Sequence, residues 1–323
     1  MKLLKIKYVD FWSSFKLEDD LLYNILCNSD KYKVEISDDP DYLIYSCFGQ
    51  EHLYYNCIKI FISGEQQTPD FNVCDYAVGF DFINFGDRYF RLPLMYQTKY
   101  ICELNRLSNI EYYGQDFCKR KFCSFVYSNK ESDDIRELIF NELSKYKKVD
   151  SGGKIANNLG YRVENKLSHE SNYKFSIACE NVSYPGYLTE KIMQSFAAGC
   201  VPIYWGDPKV FLVFNKKSFI NIQDFVSLEE AVEYIKKIDQ DDQLYLNILN
   251  QPKLNNDFQV EIVHDLYKEF VYNIFDQDIQ KAARNTRHFW NKFYNVNLKR
   301  RNNLYRLLEP FIDIRRKLKG LTR

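Results

Sequence analysis

The sequence predicts an α/β protein built from two successive halves. Short runs rich in β-branched and aromatic residues alternate with segments of helical periodicity, as in open, mostly parallel sheets. The alternation occurs once before and once after a charged, weakly patterned connector at Lys99–Lys119. At 323 residues the chain suits two domains of ordinary size. This organisation fits a two-domain binding protein and a two-domain α/β enzyme equally well.

Each half contains several strand candidates of four to seven residues. In the first half we predict strands at Leu3–Val9, Tyr42–Ser46, Ile58–Ser63, Tyr76–Gly79 and Tyr89–Pro93. In the second half we predict strands at Phe122–Tyr127, Phe175–Cys179, Val201–Trp205 and Ser218–Asn221, with helices at Asp134–Lys145, Thr189–Ala198 and Leu228–Ile238. The domains are therefore expected at 1–115 and 116–290, followed by a tail at 291–323.

Charge, cysteine usage and hydropathy exclude several classes of protein. The 44 basic and 44 acidic residues balance, so no global charge argument supports a nucleic-acid partner. The nine cysteines include no CxxC pair and the four histidines are scattered, which argues against a zinc site or a disulfide framework. No apolar run reaches the roughly 18 residues of a membrane span, and the first residues lack a signal-peptide core. We expect a reduced, cytoplasmic protein.

The C-terminal tail is strongly basic, with nine basic and two acidic residues from Lys299 to Arg323. Leucine, phenylalanine and isoleucine recur there near helical spacing, as in helices that lie on a membrane surface. Pro310 is expected to interrupt the pattern. Two interpretations remain open: a peripheral contact with the anionic inner face of the membrane, and an arm packed on the body.

The most informative segment runs from Phe175 to Gly206 and reads as strand, polar loop, helix and second strand. Thr189 is the expected N-cap, and its side-chain oxygen would accept from the first helical amides. The loop follows a strand, and open α/β sheets bind ligands at that edge. Lys191 in the first turn opposes the helix dipole unless an anion lies there, while Glu190 could accept from a ribose diol. An ordinary capped helix with a solvated Glu–Lys pair explains the pattern equally well.

This segment resembles the hallmark motif of the α1,3-fucosyltransferases, glycosyltransferase family 10, with the spacing of the bacterial Lewis-antigen enzymes. The residues that match the motif are Glu180, Asn181, Tyr187, Thr189, Glu190 and Lys191. Three further segments resemble the family in the same order: SGEQQTPDFNVCDYAVGF, FCSFVYSNKESDDIR and SGGKIANNLGYRVENK. The similarity extends over 58–96 and 121–275.

The resemblance implies a GT-B fold, two Rossmann-like domains with an interdomain cleft. It implies that fucose is transferred from GDP-fucose, with inversion, to the GlcNAc hydroxyl of an N-acetyllactosamine-type glycan or a lipopolysaccharide O-chain. An α1,4 or dual linkage and another GDP-sugar remain alternatives, and a non-catalytic glycan-binding protein is a third.

The resemblance also implies roles for individual residues. Glu65 matches the family's general base, and Arg136 and Lys191 match cations that bind the diphosphate. Because such a site already supplies positive charge, we expect no metal or other cofactor. We interpret the Gly152–Gly153 pair as a mobile loop near the donor. The other donor-binding candidates are Gly64, Ser128, Asn129, Asn165, Lys166, Asn181, Tyr187, Thr189 and Glu190, the last as the ribose ligand.

Overall fold

The computed structural model describes residues 1–97, 115–129, 132–255, 257–286 and 288–318. Most of the connector predicted at Lys99–Lys119 lies outside them. The strands are β1 Lys2–Val9, β2 Tyr32–Ile36, β3 Tyr42–Tyr45, β4 Ile58–Ile62, β5 Tyr76–Gly79, β6 Tyr89–Arg91, β7 Lys121–Phe125, β8 Val149–Ser151, β9 Tyr173–Cys179, β10 Val201–Trp205 and β11 Ile220–Asn221. The helices are α1 Leu21–Cys27, α2 Gln115–Cys118, α3 Ile135–Tyr146, α4 Lys166–Glu170, α5 Glu190–Ala197, α6 Leu228–Gln240, α7 Asp242–Leu249, α8 Val260–Asp276, α9 Ile279–Ala282 and α10 Phe289–Leu318.

The chain forms two compact α/β units, each built on one parallel sheet. The first comprises 1–79, 83–92 and 264–323, and the second comprises 80–82 and 93–263. The first sheet has the strand order β2-β1-β3-β4-β5-β6, and the second has the order β11-β10-β9-β7-β8. All the strand pairs within both sheets are parallel. Strands β3, β4 and β5 are buried along their whole length, as expected for a sheet covered on both faces.

The division between units differs from the predicted one because the chain returns to the first sheet after residue 263. The ring of Phe275 on α8 packs on Tyr42 of β3, with 4.6 Å between centroids. Tyr267 packs on Phe90 in the same way, at 5.2 Å. Residues 264–290, assigned from the sequence to the second domain, therefore belong to the first unit. A helical pattern shows which face of a helix is apolar but not which sheet that face covers.

The second unit has a core between its sheet and amphipathic helices. Ile139 and Leu143 of α3 and Ile235 and Ile238 of α6 are fully buried in one cluster with the strand β9. Burying a side chain of this size contributes about 1.5–3 kcal/mol. The apolar periodicity of α3 and α6 in the sequence predicts both helices.

Both sheets contain a point at which the direction of strand addition reverses. In the first sheet β2 and β3 lie on opposite sides of β1, and in the second sheet β8 and β9 lie on opposite sides of β7. Loops that leave the carboxyl ends of strands at such a point diverge, and ligands bind in the resulting crevice. The reversals fall between β1 and β3 and between β7 and β9.

The predicted interruption at Pro310 is wrong, because α10 continues through this residue. Proline removes one helical hydrogen bond, and a long helix can continue beyond it when the flanking turns are intact. In the part of the chain that the structure describes, no helix is both long and apolar enough to cross a membrane.

Candidate donor-binding site

The loops after β7, β8 and β9 leave the same edge of the second sheet, because the strands are parallel. They begin at Val126, Gly152 and Glu180. The loops after β7 and β9 flank the reversal point and are joined by a hydrogen bond from the Asp133 amide to the Asn181 carbonyl, at 2.9 Å. Most of the predicted donor-binding residues lie on these loops and on the first turns of α3 and α5.

Arg136 lies in the first turn of α3 and is only 1% exposed. Its guanidinium lies 4.8 Å from the centre of the Tyr127 ring, and Nη2 donates to the carbonyl of Asn129. Within the described residues its Nε and Nη1 find no acceptor, and no ion pair forms with Asp133 or Asp134. Buried charge without a partner is costly, so an anion that accepts these two donors would be strongly stabilised here.

The ring of Tyr127 packs against the cationic side chains of the site. No role was assigned to this residue from the sequence. Its hydroxyl accepts from the Cys179 amide at 2.7 Å and lies 2.9 Å from the Ile177 carbonyl, which fixes the ring against the end of β9. Lys166 Nζ lies 5.9 Å from the centre of the same ring, so the ring makes cation–π contacts with both Arg136 and Lys166. A tyrosine at the end of the predicted strand Phe122–Tyr127 is the only sequence signal for this arrangement.

The glycine pair after β8 is packed against the same tyrosine. The amides of Lys154 and Ile155 both donate to the Tyr127 carbonyl, at 2.8 and 3.1 Å. A Cβ on Gly153 would lie 1.9 Å from that carbonyl oxygen, so only glycine allows this approach. The loop interpreted as mobile is therefore held by backbone hydrogen bonds in this structure.

Glu180 is the first residue after β9 and is fully buried. Its carboxylate accepts from the Thr189 amide at 2.9 Å, from the Thr189 hydroxyl at 2.7 Å and from Lys191 Nζ at 2.8 Å. Burial raises the pKa of Glu180, and the neighbouring Lys191 ammonium opposes that change. Glu180 thus fixes a cation at the first turn of α5, a positioning role that sequence reasoning did not assign.

Thr189 is the N-cap residue by position, but its predicted capping bond is absent. Its hydroxyl donates to Glu180 instead. The first amides of α5 therefore receive no acceptor from the cap side chain, and a helix N-terminus in this state favours anions. Lys191 lies in the same turn, so backbone and side-chain donors are combined at one end of α5.

The remaining candidates in the second unit differ in their accessibility. Glu190 is partly exposed and makes no hydrogen bond with the described residues, so its carboxylate is available to a diol. Tyr187 is buried, with its ring 5.3 Å from that of Phe80. The Asn165 side chain caps α4 by accepting from the Ser168 amide at 3.0 Å, which uses its carbonyl oxygen. Ser128 and Asn129 are exposed on the loop after β7.

Two family models match almost the whole body of the chain. The model described as the alpha-(1,3)-fucosyltransferase FucT N-terminal domain matches residues 6–98. The model described as glycosyltransferase family 10 (fucosyltransferase) C-term matches residues 116–295, more than half of the chain. The chain belongs to glycosyltransferase family 10.

Relatives and solved structures agree with this assignment. The chain is 33% identical over 292 residues to alpha-(1,3)-fucosyltransferase FucT of Helicobacter pylori, a match that covers 78% of this chain and 60% of that protein. It is 32% identical over 210 residues to alpha-(1,3)-fucosyltransferase B of Drosophila melanogaster, covering 59% and 47% respectively. The chain thus spans at most 60% of the length of either relative.

The fold matches crystal structures of alpha1,3-fucosyltransferases over nearly their full length. A crystal structure of an alpha1,3-fucosyltransferase superimposes with a TM-score of 0.73 at 28% identity, covering 89% of this chain and 93% of that one. A crystal structure of an alpha1,3-fucosyltransferase with GDP-fucose gives a TM-score of 0.69 at 29% identity, covering 86% and 93%. The predicted α/β fold of the GT-B type is confirmed.

Glu65 and Gly64 lie in the first unit, whereas the ten other site candidates of this family 10 protein lie in the second. Glu65 is exposed on the loop after β4, and its carbonyl accepts from the Ser63 hydroxyl and the Gln67 amide, both at 2.7 Å. These bonds form a tight turn that projects the Glu65 side chain from the carboxyl edge of the sheet. A Cβ on Gly64 would lie 2.8 Å from the Phe48 ring, so a larger residue at this position would crowd that ring.

Replacing Glu180 by alanine is expected to lower both stability and affinity for GDP. The change would leave the Lys191 ammonium and two Thr189 donors without their buried acceptor, and breaking such a pair costs about 3–5 kcal/mol. Thermal unfolding and GDP calorimetry on the same preparation measure the two effects. Glu269→Ala, which removes an exposed carboxylate on α8, is the matched control. An unchanged melting temperature with unchanged GDP affinity would contradict the positioning role.

Proposed function

We propose that the chain is an inverting α1,3-fucosyltransferase that moves L-fucose from GDP-fucose to the GlcNAc hydroxyl of an N-acetyllactosamine-type glycan. The main observation in support is Arg136 at the reversal point of the second sheet, a buried guanidinium whose Nε and Nη1 find no acceptor among the described residues. A diphosphate is an anion that accepts several such donors at once. Membership of family 10 and the similarity to an alpha1,3-fucosyltransferase with GDP-fucose support the choice of donor.

Arg136, Lys191 and the first amides of α5 would bind the diphosphate and neutralise the charge that it gains as it leaves. Preorganised donors of this kind lower the barrier because they need no reorganisation when charge develops. Glu180 holds Lys191 in place, and Tyr127 supports Arg136. Glu190 would accept hydrogen bonds from the ribose hydroxyls. These roles use only side chains that the second unit already positions.

Glu65 would serve as the general base. The acceptor hydroxyl oxygen forms a bond to the anomeric carbon while the bond from that carbon to the diphosphate breaks, and GDP leaves with the bonding electrons. Glu65 takes the hydroxyl proton and later releases it to solvent. Because attack occurs opposite the leaving group, the anomeric configuration inverts. Base assistance of this kind is typically worth about 10²–10⁴ in rate.

Release of GDP from a panel of GDP-sugars, each with N-acetyllactosamine as acceptor, tests the choice of donor. We expect turnover of GDP-fucose and none of GDP-mannose. Turnover of GDP-mannose alone would identify another GDP-sugar transferase on the same fold. No turnover of any nucleotide sugar would support a non-catalytic glycan-binding protein. A lipopolysaccharide O-chain that carries N-acetyllactosamine, and an α1,4 or dual linkage, are distinguished by the acceptor used and the product formed.

Catalysis is expected to continue when divalent metal is removed. Arg136, Lys191 and the N-terminus of α5 supply the positive charge that a bound metal ion supplies to the leaving diphosphate in other enzymes. Initial rates with GDP-fucose should therefore agree within about twofold with and without EDTA, a difference equal to only about 0.4 kcal/mol. Complete loss of activity in EDTA, restored by Mn²⁺ or Mg²⁺, would show that this positive charge is insufficient.

We also propose that the outer face of α10 lies on an anionic membrane surface. Leu304, Leu307 and Leu308 are exposed on one face of the helix, to 57%, 71% and 45%, and basic residues flank them. Co-sedimentation with anionic vesicles should fall at least about tenfold when all three leucines are changed to glutamine, since each buried methylene contributes about 0.8 kcal/mol. Neutral vesicles provide the control for charge. Equal sedimentation of the variant and the unmodified chain would contradict this proposal.

A further inference from the structure

A cavity of about 710 Å³ lies in the first unit, under α10. A smaller cavity of about 170 Å³ shares Cys47, Gly49, Gln50 and Leu298 with it and extends towards His52. Both are lined by the loop after β3, which flanks the reversal point between β1 and β3. The larger volume is within the range of about 300–1,000 Å³ typical of small-molecule sites. The location is the one at which an open α/β sheet binds a ligand.

The loop after β3 is fixed by Asp10, the first residue after β1. The Asp10 carboxylate accepts from the amides of Glu51 and His52 at 2.9 Å and lies 2.7 Å from His52 Nδ1. A Cβ on Gly49 would lie 2.2 Å from the same carboxylate, so glycine is needed for this approach. One wall of the cavity is therefore preorganised, which lowers the entropy cost of binding a ligand.

The opposite wall is one face of α10, and its residues recur at helical spacing. They are Leu298, Arg301, Asn302, Tyr305, Arg306 and Glu309. A helix that covers a protein surface normally turns its apolar face inward. Beyond Leu298 the face towards the cavity is polar, while Leu304 and Leu307 point outward. A polar ligand in the cavity would explain why the polar face of α10 points inward and the apolar face outward.

The charge of this wall is predominantly positive. Within the described residues neither Arg301 nor Arg306 forms an ion pair or donates a hydrogen bond, and Arg306 lies over the ring of Tyr54 at 5.5 Å. Glu309 is the one acidic residue lining the larger cavity. In the smaller cavity Asp70 already accepts from the Tyr294 hydroxyl at 2.6 Å. Two guanidiniums therefore offer open donors to an anion, beside the aromatic side chains of Tyr305 and Phe48.

We propose that this cavity binds an acidic sugar residue of the acceptor glycan, with Arg301 and Arg306 as the donors to its carboxylate or sulfate group. The inference rests on the proposed function, because it extends the acceptor side of the same reaction. Glu65 follows β4, the neighbour of β3, so the proposed base and the cavity belong to the same edge of the first sheet. The aromatic side chains would pack on the apolar face of the sugar ring, and the guanidiniums would distinguish charged acceptors from neutral ones.

The test compares three acceptors: N-acetyllactosamine, its α2,3-sialylated form and its 6-sulfated form. For the double variant Arg301→Ala/Arg306→Ala we expect KM to rise at least about tenfold for an acidic acceptor, because charged hydrogen bonds contribute about 1.5–3 kcal/mol each. KM for N-acetyllactosamine, KM for GDP-fucose and kcat should change by less than about twofold. Arg300→Ala, on the same helix but outside the cavity lining, is the matched control. The acidic acceptor that responds identifies whether a carboxylate or a sulfate is bound.

An equal change in KM for neutral and acidic acceptors, or no change for any, would overturn the proposal. If the unmodified chain transfers fucose to none of the three acceptors, the proposed function fails. Calorimetry with the two acidic glycans then tests the cavity by itself. Binding that the double variant loses and Arg300→Ala keeps would support the site, whereas no binding by the unmodified chain would exclude it.

Discussion

Glu65→Gln is expected to lower kcat at least about a hundredfold while GDP-fucose binds nearly as before. An acceptor hydroxyl is a poor nucleophile at neutral pH, and glutamine keeps the size of the side chain but cannot take a proton. Glu65 is exposed on a tight turn that its backbone carbonyl stabilises, and the substitution leaves that backbone unchanged. The measurement is kcat together with donor affinity, on one folded preparation of the variant.

Two controls separate this role from the others that Glu65 could have. Glu35→Gln changes another exposed carboxylate of the first unit, on the edge strand β2, and should leave kcat unchanged. A structural role for Glu65 predicts a lower melting temperature with activity per folded molecule kept, and a role in donor binding predicts weaker GDP-fucose affinity. Near-normal kcat in Glu65→Gln would remove this residue from the mechanism.

Arg136→Met is expected to weaken GDP binding by at least about tenfold without destabilising the ligand-free protein. Among the described residues the buried guanidinium has no carboxylate partner, and replacing buried charge by an apolar side chain of similar size is often neutral or stabilising. Saturating GDP raises the stability of a protein that binds it, by about 2.7 kcal/mol at a hundred times the Kd. The variant should therefore keep its melting temperature and lose most of the increase that GDP produces.

Lys191→Met provides a second test of the same diphosphate site, on the other side of the reversal point. Charged hydrogen bonds contribute about 1.5–3 kcal/mol each, so the affinity for GDP should again fall about ten- to hundredfold. Lys237→Met, an exposed cation on α6, is the matched control. Unchanged GDP affinity in calorimetry for both Arg136→Met and Lys191→Met would mean that the donor site has been misplaced.

The strands that alternate with clear helices were predictable because their sequences carry the pattern of a covered parallel sheet. β5 and β10 have the predicted bounds, and β4 ends one residue earlier than predicted. Strand β2 was missed because it is an edge strand, with charged side chains at Lys33 and Glu35 that hide the apolar pattern. β8 was missed because it has only three residues and includes Asp150.

Only those residues of the site that belong to the family's motifs were predictable from the sequence. The motif identified the cations Arg136 and Lys191, but it did not show that Glu180 takes the hydroxyl of Thr189 and so leaves the helix N-terminus uncapped. This change of hydrogen-bond partner depends on the burial of Glu180 beside Gly206. A Cβ added to Gly206 would lie 2.4 Å from the Glu180 side chain. Such a contact joins the ends of β9 and β10, and spacing along the chain does not report it.

Incubation of the chain with GDP-fucose and N-acetyllactosamine, followed by NMR of the purified product, tests directly whether the chain transfers fucose and with which stereochemistry. We expect one new fucosyl residue on the 3-hydroxyl of GlcNAc, with the anomeric configuration opposite to that in the donor, and one GDP released for each fucose transferred. A fucosyl residue with retained configuration would contradict the direct displacement. GDP release without a glycosylated product, or no reaction at all with this donor and acceptor, would contradict the proposed function.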